Sequence, residues 1–166
     1  MAYTFTRINE FTIDDTFNQI YADSLDDILS GTIASEHLSK SDTELKEYMQ
    51  TMMNANNFGY NVIVSKDNVP CLYIHGMYEN NTYTWRDALV GKINNSKAWT
   101  WTSAFHEANK SWIQSLGGTK FALVCIKNSR IDTYFTQATT DGVCLGTLTT
   151  EDIEGDLNMK RMTWTY

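Results

Sequence analysis

The sequence predicts a single α+β domain organised on one mixed sheet. Three observations carry that prediction. Residues 59–90 hold three runs rich in β-branched and aromatic side chains, joined by short polar turns. Residues 82–138 read strand, long loop, helix, strand, short helix, the order of a crossover between parallel strands. The chain has 166 residues, 42% of them hydrophobic, which is enough for one substantial core.

The elements follow in order. Residues 3–8 alternate and predict a first strand. Thr12 and Asp15 have capping-box spacing, and Phe17, Ile20, Tyr21, Leu25, Ile28 and Leu29 then recur at helical spacing, with Gly31 as the stop. Residues 32–40 are a polar connection. Ser41 and Glu44 repeat the capping pattern ahead of Leu45, Tyr48, Met49, Met52 and Met53, a helical stripe that reads as core. Strands are predicted over 59–65, 69–78 and 82–90, an antiparallel meander with turns at 66–68 and 79–81. Pro70 sits at a strand start, where its missing donor is tolerated.

The crossover then uses a polar loop over 91–102, a helix over 103–116 closed by Gly117-Gly118, and a strand over 121–126. A short helix covers 129–138. A last antiparallel pair is expected at 143–148 and 157–164, joined by the acidic segment 149–156.

Charge and composition limit the function classes. The net charge is −7, which opposes non-specific binding to nucleic acid or to an anionic membrane. No apolar run approaches a membrane span, and the N-terminus lacks a basic region followed by an apolar core, so the expectation is a cytoplasmic, unsecreted protein. Cys71, Cys125 and Cys144 lie in apolar, strand-like surroundings without CxxC spacing and read as buried free thiols. The N-x-Ser/Thr matches at Asn80, Asn94 and Asn109 read as chance in an Asn- and Thr-rich chain. No metal-ligand spacing, Ser-His-Asp arrangement or Walker loop occurs.

Trp85, Trp99, Trp101 and Trp112 crowd the middle of the chain. Trp112 fits the helix stripe with Phe105, Ala108, Ile113 and Leu116. Trp99 and Trp101 fall in the loop outside any stripe, and such rings are favoured where partners meet. The expectation is therefore protein partners or self-assembly through these two rings, or rings that cover the mouth of a cleft.

The order β-α-α-β-β-β-α-β-α-β-β resembles that of the GNAT family of acyl-CoA-dependent N-acyltransferases over nearly the whole chain. A local pattern adds to the resemblance. The strand 121–126 is followed by Asn128 and a short helix carrying Ile131, Tyr134 and Phe135. The family typically has an asparagine there, a small residue three positions on, and a tyrosine seven positions on that serves as general acid. Asn128 fits; Ile131 is bulkier, the seventh position is Phe135, and the phenol falls one residue early at Tyr134. One residue on a helix is a rotation of about 100°. The family's Arg/Gln-x-x-Gly-x-Gly/Ala loop is also missing. Here the segment is Gly91-Lys92-Ile93-Asn94-Asn95-Ser96-Lys97-Ala98-Trp99-Thr100-Trp101-Thr102, with Gly91 at the strand end and Lys92 and Lys97 as point charges for phosphate.

Small GNAT-like proteins of tailed bacteriophages, some of them virion-associated, also lack this loop, and the chain is similar to them in being compact and acidic. That resemblance implies a GNAT-like scaffold acting in assembly, with no cofactor expected. The alternative it implies is a divergent N-acyltransferase using acetyl-CoA or another acyl-CoA on an amine. Its general base would be Asp87, on the strand where the family often places one, with Tyr134 as acid and His75 as a further acid/base candidate. Gly91, Lys92, Lys97 and Asn128 would hold the cofactor. A third reading is a binding module for a small metabolite. The family fold further implies that strands 82–90 and 121–126 run parallel and splay at their carboxyl ends.

Overall fold

A computed structural model describes residues 2–27, 39–55 and 59–166, with the side chain of Leu157 also outside the description. The elements run β1 (Tyr3–Ile8), α1 (Asp15–Asp27), α2 (Asp42–Met53), β2 (Asn61–Lys66), β3 (Val69–Glu79), β4 (Thr82–Val90), α3 (Ser103–Ser115), β5 (Lys120–Ile126), α4 (Arg130–Thr140), β6 (Thr147–Ile153) and β7 (Asp156–Thr165). A 3₁₀ turn, Ala98–Trp101, precedes α3. The predicted end of the first helix at Ile28, Leu29 and Gly31, and most of the connection after it, lie outside the described residues.

One seven-stranded sheet has the order β1-β2-β3-β4-β5-β7-β6. All neighbours are antiparallel except β4 and β5. That parallel ladder runs only from Thr82 opposite Lys120 to Trp85 opposite Leu123. Beyond it β4 continues to Val90 and β5 to Ile126 without pairing to each other, which is the expected splay.

The meander turns are tight because Asn tolerates the left-handed region. Asp67-Asn68 and Asn80-Asn81 all have positive φ, as a two-residue type I′ hairpin requires. Alternation sends side chains to two cores. Val62, Val64, Leu72 and Ile74 meet Phe105, Ile113 and Phe135 on one face. Tyr73 and Leu89 meet Phe17, Ile20, Leu45 and Met49 on the other. The stripes of α1 and α2 are thus core, as their spacing predicts. At α2 the N-cap of the second pattern forms as read, with Ser41 Oγ accepting from the Glu44 N–H, while the Glu44 carboxylate accepts from the Ser41 hydroxyl. At α1 the cap is Asp14, which accepts from the Phe17 N–H at 2.9 Å; the Thr12–Asp15 pattern gave way to the carboxylate three residues before that amide.

The largest correction falls at the C-terminus. Residues 143–146 are not strand, and the segment expected as a loop is mostly β6 with a tight turn at Glu154-Gly155. Glu151 faces Arg161 across the ladder and pairs with it at 3.6 Å, and Asp152 pairs with Lys127 at 2.8 Å, so acidic residues read as loop are satisfied within a strand. All three cysteines are buried and free, and burial pushes their thiols up to about 12, 11 and 12 for Cys71, Cys125 and Cys144. No described helix is long and apolar enough to cross a membrane.

Candidate functional site

The splay opens a cleft of about 600 Å³ between β4 and β5. Its walls are mainly apolar, with Leu72, Trp85, Phe105, Leu123, Ile131 and Phe135 among them. Its mouth is formed by the end of α1, the loop 91–102 and the start of α4. Gly91 allows α1 to come this close. A Cβ there would lie 3.0 Å from Ile20 Cγ1 and 3.2 Å from the Cys71 carbonyl oxygen.

The mouth is an ion-pair network. Lys97 Nζ donates to the Asp23 carbonyl at 2.8 Å, to Asp26 at 2.8 Å and to Asp27 at 2.7 Å. Arg130 Nη1 reaches the same two carboxylates at 3.2 and 3.4 Å. The Asp23 carboxylate accepts the Lys92 N–H at 2.9 Å. Burial works to lower the Lys97 pKa, but Asp26 and Asp27 outweigh it and hold the ammonium above its usual value. The hydrogen bond from Lys97 is the main cause of a lowered pKa at Asp26.

The rest of the loop is folded on itself. Asn94-Asn95, both at positive φ, make a third tight turn, with Ile93 and Ser96 exchanging backbone bonds. The backbone amides of residues 91, 92, 93, 96, 98, 100 and 102 all donate within the chain. At the start of α3, Thr102 Oγ1 caps the Phe105 N–H.

The two loop tryptophans differ, and the expected pair of contact rings does not form. Trp99 is 6% exposed, packs edge-on to Phe105 and donates its indole N–H to the Gly91 carbonyl at 3.0 Å. It is a core residue, because the 3₁₀ turn rotates it inward. Trp101, two residues on, is 41% exposed and lies edge-on against Tyr134 at 4.5 Å between ring centroids.

The acid/base candidates are only partly together. Asp87 lines the cleft, and its Oδ2 lies 3.4 Å from His75 Nδ1, a contact that is an ion pair only when the histidine is protonated. His75 is fully buried in the sheet, at the bulge between β3 and β4. Tyr134 lines the opposite side, but its hydroxyl donates to the Thr100 carbonyl, and burial pushes its pKa up to about 12. His106 Nε2 meets the same carbonyl at 2.9 Å and so carries the proton there. Phe135 is core, edge-on to Trp85 and beside Trp164. Asn128 sits at positive φ in the β5–α4 turn, and its N–H donates to Asp132 at 2.7 Å. Among the described residues no acidic, His or Cys cluster could hold a metal.

Sequence reading missed Asp23, Asp26, Asp27 and Arg130. A signal was present. The three carboxylates stand at i, i+3 and i+4 on one face of α1, where like charges destabilise one another unless cations meet them.

No protein-family model matches the chain, and no curated protein matches it in sequence. Solved structures do. The PaiA N-acetyltransferase of Thermoplasma acidophilum, in complex with coenzyme A, aligns over 100% of both chains at 15% identity and a TM-score of 0.55. A domain from Methanocaldococcus jannaschii aligns over 99% of both at 13% identity and a TM-score of 0.56. The ribosomal-protein-S18-alanine N-acetyltransferase of Escherichia coli aligns over 99% of this chain and 94% of its own at 9% identity and a TM-score of 0.51. The chain therefore has the GNAT fold, in divergent form.

Coenzyme A is the group this fold implies. As placed, the loop does not fit its diphosphate. The donors that would meet a diphosphate there, the Lys92 N–H and the Lys97 ammonium, are engaged by Asp23, Asp26 and Asp27, and the local field already includes three carboxylates.

Proposed function

We propose that this chain uses the GNAT fold as a scaffold for protein contacts, with little or no acyl transfer. One observation carries the reading: carboxylates of α1 sit on the donors that an acyl-CoA diphosphate would need. The exposed Trp101 at the mouth is the contact residue in this proposal. Its setting, a virion or an assembly intermediate, comes from the resemblance to phage proteins. Calorimetry with acetyl-CoA tests it. The expected result is no binding tighter than about millimolar, or about −4 kcal/mol. A micromolar Kd would overturn the reading. The double variant Asp26→Asn/Asp27→Asn should bind acetyl-CoA more tightly than the unchanged chain, because it frees Lys97 and Arg130.

The second reading is an acyl-CoA-dependent N-acyltransferase acting on an amine. Asp87 favours it, being a carboxylate on the cleft wall beside a buried histidine. Acetyl-CoA turnover with a panel of primary amines, abolished by Asp87→Asn, would establish it in place of the scaffold.

A further inference from the structure

We propose that a polar hollow on the open face of the sheet binds a small zwitterion, of the amino-acid or dipeptide kind. The hollow shares no described lining residue with the splay cleft. The proposal goes beyond the scaffold reading and does not rest on it.

Strand register builds the hollow. Trp85, Leu123 and Trp164 turn to the core under α3 and α4. Thr84, Ala122 and Thr163, each one residue away, therefore turn to the opposite face. Met77, Thr84, Ala122 and Thr163 stand side by side in one row across β3, β4, β5 and β7. Helix α1 packs on that same face, but against the other end of β3 and β4, around Tyr73 and Leu89. Ala122 is the short side chain within the row, and the taller residues around it enclose a hollow of about 260 Å³. Ligand pockets commonly measure about 300–1,000 Å³, so this one takes a small molecule.

The polar groups of the hollow are uncommitted. Thr84 is 5% exposed, and its hydroxyl has no hydrogen-bond partner among the described residues. Arg161 Nε is closed to solvent and lacks an acceptor as well. The same guanidinium keeps only a 3.6 Å contact with Glu151, a carboxylate 66% exposed, and a pair of that kind is readily exchanged. Buried donors without acceptors are costly, and a ligand carboxylate is the acceptor that suits a hydroxyl and a guanidinium together. On the rim, Lys120 and Glu79 have no ion-pair partner among the described residues. They start two strands apart, about 10 Å, one on either side of Thr82. A simple anion meets Glu79 and Glu151 there, and a simple cation meets Lys120 and Arg161. A molecule with both charges finds a counter-charge for each.

Titration of the full ¹⁵N-labelled chain at neutral pH, followed by amide chemical shifts, tests the site. The probes are glycylglycine, N-acetylglycine, which lacks the ammonium, and glycylglycinamide, which lacks the carboxylate. The expected result is saturable movement of the Thr84, Ala122 and Thr163 amides with glycylglycine, and affinity about tenfold or more weaker for each analogue. No saturable movement of those amides would overturn the site. Either analogue binding as tightly as glycylglycine would overturn the zwitterion class. Glu79→Gln, at an exposed position, should bring glycylglycine and N-acetylglycine level, and a preference that persists would overturn the ammonium arm. Thr84→Val keeps the shape and the strand preference and removes the hydroxyl, and glycylglycine affinity should fall about fivefold or more. Unchanged affinity would overturn the placement. If that variant fails to fold, Lys120→Met, also at an exposed position, reads the carboxylate arm in the same way.

Discussion

The buried depth behind the cleft wall and the mouth of the cleft meet at the same loop, yet they are stabilised by different physics. In the depth, Trp99, Phe105 and His106 are nearly closed to solvent and pack ring against ring. At the mouth, Trp101 is half open, Arg130 is 56% exposed, and the contacts are ion pairs. Ring burial is worth kcal/mol per side chain, whereas exposed ion pairs are typically worth about 0–1 kcal/mol. The loop thus anchors one ring, Trp99, in the core and presents another, Trp101, at the surface.

The comparison breaks first at Trp99. Trp99→Ala removes a buried ring and leaves the Gly91 carbonyl without its indole donor. The expected loss is about 3–5 kcal/mol, read by chemical denaturation. A loss under about 1 kcal/mol would mean that the ring is not core, and that depth and mouth are not distinct.

How much of this was legible in the sequence can be argued from those rings. Spacing placed Phe105 and Ile113 in the core because a 3.6-residue period repeats along α3. The parallel pair and its splay followed from element order and family resemblance. Trp99 and Trp101 have no period to read, since a four-residue 3₁₀ turn decides which ring faces inward. The tight turn at Asn94-Asn95 did have a local signature, because adjacent asparagines accept positive φ, as they do at Asn80-Asn81. The ion-pair mouth joins residues about a hundred positions apart, Asp26 and Arg130, and no local rule links them. Strand β6 was hidden because Glu151 and Asp152 look like loop until their cationic partners, Arg161 across the ladder and Lys127 after β5, are known.

The depth is also sharpened by pH. Burial lowers the His106 pKa to about 4, against the opposing hydrogen bond to Thr100. The folded state therefore prefers neutral histidine. Its contribution is complete above the unfolded value of about 6.5 and is lost as pH falls towards 4. The difference corresponds to at most about 3 kcal/mol. His106→Gln keeps a donor for the Thr100 carbonyl and removes the titration. Denaturation midpoints between pH 7 and 4 should fall for the unchanged chain and fall less for the variant. Equal slopes would show that His106 is not held neutral in the depth. Asp26 adds to the acid loss at lower pH, because its lowered pKa means that protonation releases Lys97.

The smallest stability effect is expected at Trp101, and it is the one that separates contact from packing at the mouth. The ring is 41% exposed, and its described ring contact is the edge of Tyr134. Removing it takes away part of one aromatic pair, worth about 0.5–1.5 kcal/mol, and only part of a ring's burial. Trp101→Ala should therefore cost about 1 kcal/mol or less in denaturation, against several for Trp99→Ala. A partner that covers the ring gains much more. An indole buries roughly 150–250 Å² in an interface, which at about 25 cal/mol per Å² is several kcal/mol before ordering costs. If the proposed scaffold role holds, sedimentation and co-purification should then show weakened association for Trp101→Ala and near-normal folding. Association unchanged by the variant would remove Trp101 as a contact residue and leave the mouth with its ion pairs alone. A stability loss as large as that of Trp99→Ala would instead place the ring in the core, and the difference between mouth and depth would disappear.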